Sequence, residues 1–162
     1  MNTVVTNQAS SPLLQTKFYR PRIEKDFVSR PHLIERLQAS EHRSLTLVSA
    51  PAGYGKSTLI GHWLDESAYP SAWLSLDEYD NSLPLFLNYL LAAIQHAFPA
   101  LELKSRSLLN APSLPPAMTL ARSLINDLEK LETPFVLVLD DMHCIQEMAV
   151  YELLEEWLRH PS

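Results

Sequence analysis

The chain has 162 residues, of which 46% are apolar and 20% charged. That balance excludes a disordered polypeptide and fits one globular domain burying roughly two-thirds of its unfolded surface. The formal net charge of −6 argues against a surface built to coat nucleic acid. The single cysteine, Cys144, rules out a disulfide framework and points to a reducing, cytoplasmic setting. Lacking a partner thiol, it reads as a buried apolar residue and not as a redox sensor.

Residues 1–29 read as a polar leader followed by a basic segment, ahead of a domain spanning 30–162. The first sixteen positions are expected to be loosely ordered, and residues 1–11 lack the apolar core of a secretory signal. Lys17, Arg20, Arg22 and Arg30 could face a nucleotide, but composition favours a solvated stretch balanced by Glu24, Asp26 and Glu35. Pro31 suits the first turn of a helix, and Leu33, Ile34 and Leu37 fall on one face of it.

A short apolar run at 45–48 predicts a strand, and the residues from Leu59 predict a helix. Between them lies the phosphate-loop pattern G-x-x-x-x-G-K-[ST], with Ala50 where the first glycine usually stands. The loop Ala50, Pro51, Ala52, Gly53, Tyr54, Gly55, Lys56, Ser57 and Thr58 holds two of the three glycines in the sequence. Such a loop turns successive amides inward as an anion nest at a helix N-terminus. Gly53 and Gly55 let backbone approach a polyphosphate. Lys56 would reach the β- and γ-phosphates, and the Ser57 hydroxyl would ligate Mg²⁺.

Past the break at Pro70, residues 71–76 predict a strand and Asp77-Glu78-Tyr79-Asp80-Asn81 an acidic turn. Three carboxylates in four positions invite a metal, but their spacing better fits a solvated loop whose side chains cap turns. Residues 84–98 form an apolar helix, its run too short for the ~20 residues that span a bilayer. A proline-rich connector follows, then a helix over 118–131 with Leu120, Leu124 and Leu128 as its core face.

The unbroken apolar run 135–139 predicts a strand buried on both faces, as in a parallel sheet. Asp140 at its carboxyl end is the expected Mg²⁺-side carboxylate, and Asp141 a candidate to orient a hydrolytic water. His143 reads as a loop residue, and the histidine spacing offers no zinc pair. Residues 148–159 complete the chain as an amphipathic helix. Val150, Leu153, Leu154, Trp157 and Leu158 form its apolar face, opposite Glu152, Glu155 and Glu156.

Four stretches together carry a resemblance: 30–37 (RPHLIERL), 47–60 (LVSAPAGYGKSTLI), 73–81 (WLSLDEYDN) and 136–143 (VLVLDDMH). In this order they resemble the N-terminal part of the MalT-like group of LuxR-type, ATP-dependent transcriptional activators, which are STAND P-loop ATPases. The resemblance implies an α/β P-loop NTPase with a parallel sheet flanked by helices, incomplete on its C-terminal side. It implies ATP and Mg²⁺ as cofactors, a nucleotide switch with slow hydrolysis, and the neighbourhood of Arg30 to Glu35 packed near adenine. In that family a small inducer, self-association and a C-terminal helix-turn-helix on DNA complete the activator. None of those regions is within this sequence, so a truncated product or fragment is expected. It should lack the central sensor strand that separates the two nucleotide-site strands, leaving two edges unpaired. The rival readings are a small P-loop kinase and a remnant or interaction module that binds no nucleotide.

Overall fold

A computed structural model describes residues 12–22 and 28–160. Among the described residues five α-helices and two strands make the frame: α1 Pro31–Gln38, α2 Lys56–Glu66, β1 Ser71–Ser75, α3 Leu83–Ala97, α4 Ala117–Leu128, β2 Val136–Asp140 and α5 Met148–Arg159. The strands pair in parallel, Ser71 opposite Val136 and Ser75 opposite Asp140. Because successive side chains of a strand point to opposite faces, each strand divides its residues between two cores. Trp73, Val136 and Val138 join Ile34 and Leu37 of α1 and Leu59, Trp63 and Leu64 of α2. Leu74, Leu137 and Leu139 join the larger core under α3, α4 and α5. The chain is therefore an α/β fold with a parallel sheet between helical layers, as the sequence predicts.

The helix α3 is apolar around its circumference, and Phe86, Leu87, Leu90, Leu91 and Ile94 are fully buried, as a helix in the middle of a core requires. Past its end, Gln95 Nε2 donates to the carbonyls of Phe98, Pro99 and Leu101 at 3.0–3.2 Å, tying the segment that follows back onto the helix. The connector to α4 is tied by Asp127, which accepts from Ser105 N at 2.7 Å and pairs with Lys130 at 2.7 Å. Among the described residues no helix is long and apolar enough to cross a membrane.

Several expectations are corrected. Residues 45–48 are not a strand: they lie outside regular structure, Leu45 and Leu47 are 63% and 84% exposed, and only Val48 packs against the α1–α2 core. A strand exists only with a neighbour to take its amides, and the sheet formed by the described residues has two strands. For the same reason β2 is half-buried along its whole length, not buried on both faces. Helix α4 ends at Leu128, short of the expected 131. In α5, Glu156 lies in the interior beside Arg122 Nε at 2.9 Å, while Leu158 is 38% exposed.

Much of the expected loose leader, residues 1–11, lies outside the described residues, as do Glu24 and Asp26. The part described is packed. Leu13 touches the larger core and Phe18 belongs to it. Lys17, expected in solvent, is buried. Cys144 is half-buried and not a core residue.

Candidate functional site

The phosphate-loop sequence enters α2 through two glycines in the left-handed region, Gly53 at φ 80° and Gly55 at φ 74°. Gly55 is the residue on which α2 begins. At both glycines an added Cβ would meet nothing within 4 Å. The loop is thus an open cradle in which backbone is accessible and only glycine adopts the turn without strain. Lys56 folds back over it, donating from Nζ to the carbonyls of Ala50 at 2.9 Å and Pro51 at 3.3 Å. Tyr54 is exposed, and its carbonyl accepts from Arg30 Nη1 at 3.2 Å. Ala52 is exposed, while Ser57 and Thr58 lie half-buried in the first turn of α2.

The second part of the site is the carboxyl end of β2. Alternation puts Asp140 on the same face as Val136 and Val138, the face covered by α2. Asp140 Oδ1 accepts from the Asp141 amide at 3.1 Å. Asp141 is exposed and left-handed, φ 58° and ψ 36°, and Oδ1 lies 3.6 Å from His143 Nδ1. Loop and strand end thus share one side of the sheet. Among the described residues no hydrogen bond or ion pair joins residues 50–58 to Asp140 or Asp141. A hydroxyl from α2 and a carboxylate from β2 are hard oxygen donors of the kind Mg²⁺ takes.

The family model of the AAA ATPase domain matches residues 27–162. The chain belongs to the AAA ATPase domain family. It is also similar to HTH-type transcriptional regulators MalT, at 36% identity over 148 residues, in Yersinia pestis (strain Pestoides F), Yersinia pseudotuberculosis (serotype O:1b, strain IP 31758) and Yersinia enterocolitica (serotype O:8 / biotype 1B). Each alignment covers 91% of this chain and 16% of the relative, so the chain spans about a sixth of the length of these curated relatives. Membership of an AAA ATPase family implies a nucleotide as ligand.

Within this AAA ATPase domain the acidic turn after β1 caps itself, as the sequence predicts, and is bound to the N-terminal segment instead of lying free in solvent. Asp77 accepts from the Tyr79 amide at 2.9 Å and Asp80 from the Asp77 amide at 2.9 Å, a reciprocal capping box. Asp80 is fully buried and, with Asp77, clasps Lys17 Nζ, which also sits 4.7 Å from the centre of the Tyr89 ring. Burial, then the charges of Asp141, Asp77, Glu78 and Asp80, pushes the Cys144 thiol up, which leaves it a poor nucleophile.

Sequence reasoning missed three contacts in this region: Lys17 in the clasp, Arg30 on the loop carbonyl, and the Asn81 carboxamide, whose Oδ1 accepts from the amides of Gln146 and Glu147. The first two were visible only as positive charges. The third belongs to the turn whose side chains are expected to cap, but the amides it serves precede α5, 65 and 66 positions away, and not the next helix α3.

Proposed function

We propose that this AAA ATPase domain is the ATP-binding switch of a MalT-type, LuxR-family transcriptional activator, acting in the cytoplasm. The observation that carries the reading is the glycine cradle at the N-terminus of α2, with a lysine that spans it. In this reading the amides of residues 50–58 and the positive end of α2 bind the polyphosphate. Lys56 leaves the carbonyls of Ala50 and Pro51 for the β- and γ-phosphates, a movement open to an ammonium held by two hydrogen bonds to carbonyls, one half-buried and one exposed. Ser57 and Asp140 hold Mg²⁺, which when bound supplies charge neutralisation on the phosphates. Asp141 orients the attacking water and Arg30 holds the loop from outside.

Residues 30–162 form the ATPase unit and 1–29 its leader. A further strand between residues 45–48 and β2 completes the sheet, and hydrolysis is slow without it. Inducer binding, self-association and DNA recognition through a helix-turn-helix belong to the larger protein in which such a unit works.

The test is thermal unfolding with and without Mg·ATP, beside Lys56→Ala. A ligand at a hundred times its Kd stabilises by about 2.7 kcal/mol. A midpoint raised by ATP, and not raised in Lys56→Ala, supports the switch. A cooperative transition indifferent to ATP makes this an interaction module instead.

A further inference from the structure

We propose that Asn81 is the positioning residue for the Asp140–Asp141 pair, and that turn 77–81 is a bracket between the N-terminal segment and the loop after β2. The inference rests on the reading of Asp140 as a Mg²⁺-side carboxylate.

Asn81 Oδ1 accepts from the amides of Gln146 and Glu147, both at 2.8 Å. These amides precede α5, so a residue 65 positions upstream of Gln146 supplies an acceptor that helix entrances need. The loop 141–147 is thereby fixed at both ends. At its start, the Asp140 carbonyl accepts from Leu76 N at 3.0 Å, just past the ladder pairing with Ser75. At its far end stand the Asn81 carboxamide and Ile145, which is 2% exposed and accepts from Tyr151 Oη at 2.7 Å.

Between those anchors Asp141 holds φ 58°, the only positive φ of a non-glycine among the described residues. An L-residue keeps such a conformation when its surroundings determine it. At the same junction the Asp141 amide donates to Asp140 Oδ1 at 3.1 Å, so the carboxylate at the end of β2 is tied to the first residue of this loop. Asn81 in turn is fixed by its own turn, whose two aspartates are locked on Lys17. The carboxamide is exposed and fills no core, so shortening it releases the loop without opening a cavity.

The experiment uses the full chain with Asn81→Ala and Asn81→Asp. ATP affinity is titrated with and without Mg²⁺, and hydrogen exchange is followed at Gln146 and Glu147. Asn81→Ala should speed exchange at those two amides and leave Mg²⁺-free ATP affinity unchanged. It should also reduce the gain that Mg²⁺ brings by a few-fold, less than the ~10-fold that loss of a direct outer-shell partner costs, because Asn81 acts through the loop. Asn81→Asp, whose carboxylate accepts the same amides, should restore both. Faster exchange with an unmoved Mg²⁺ gain would make Asn81 a helix cap only and overturn the inference, as would equal loss of affinity with and without Mg²⁺. No ATP binding by the unaltered chain would overturn the nucleotide-site reading first, and this inference with it.

Discussion

Lys17 and Asp80, 63 residues apart in sequence, meet as an ion pair in which the carboxylate is fully buried and the lysine side chain is 9% exposed. Asp77 Oδ2 approaches the same ammonium at 2.7 Å. The pair pins the segment before α1 to the end of β1, beside the residues that hold the post-β2 loop. Removing one partner from such a site leaves an uncompensated buried charge, which costs more than the pair itself contributes.

Lys17→Met should therefore destabilise the chain by about 3–5 kcal/mol. Urea unfolding measures it. A change below 1 kcal/mol would mean that the segment is not docked in solution.

The same cluster gives a pH dependence. Burial alone lowers the pKa of Lys17, but the hydrogen bonds and charges of Asp77 and Asp80 outweigh it and raise the value above 10.5. The folded chain then keeps a proton that the unfolded chain has lost. This stabilisation is complete below pH 10.5 and disappears as pH rises through the raised value. On the acid side, the hydrogen bond from Lys17 lowers Asp77 below 3.8 against the opposing effect of burial. Its contribution is complete above pH 3.8 and is lost as pH falls through the lowered value. Unfolding free energy measured against pH should decline at both ends. Lys17→Met should shorten the alkaline decline in a Cys144→Ser background, which removes the share of the raised thiol.

What the sequence disclosed and what it hid divide along one physical line. Helix α5 runs Met148–Arg159 as its period predicts, and β1 begins at Ser71 after the proline break, because periodicity and breakers are local. Residues 45–48 have a strand's composition, yet strand formation depends on a neighbour, which no local pattern supplies. By its charge Glu156 belongs to the solvent face of α5, yet it is buried. It is covered by Arg122, 34 residues away, whose hydrogen bond holds its carboxyl below the usual range. In the candidate site, the loop 50–58 and the Asp140–Asp141 pair stand out as motifs. Asn81 falls in the motif stretch 73–81 and in a turn marked for capping, but the amides it serves, those of Gln146 and Glu147, lie 65 and 66 positions away, which no local pattern names.

Gly55→Ala isolates the backbone requirement of the loop. At φ 74°, with nothing within 4 Å of the added Cβ, the whole cost is conformational, about 1–2 kcal/mol. Gly55→Asn should cost less, because asparagine tolerates the left-handed region. Thermal unfolding without nucleotide reads both. Equal, negligible effects would show that the loop does not hold this turn in solution.

The last prediction concerns residues 47 and 48, adjacent in sequence and opposite in environment. Leu47 is 84% exposed, so Leu47→Lys should change stability by no more than about 0.5 kcal/mol. Val48 rests on the core of Ile34, Leu37, Leu59, Trp63, Leu64 and Trp73, so Val48→Ala should cost about 1 kcal/mol for the methyl groups withdrawn from a half-buried site. Urea unfolding at several protein concentrations compares the two. A cost of 2 kcal/mol or more for Leu47→Lys, growing with concentration, would mean that a second copy covers Leu47 in solution. A large cost independent of concentration would mean that residues 45–48 find a strand partner within the chain. The exposure of Leu47 requires neither, because an apolar side chain with no neighbouring strand has no buried surface to lose.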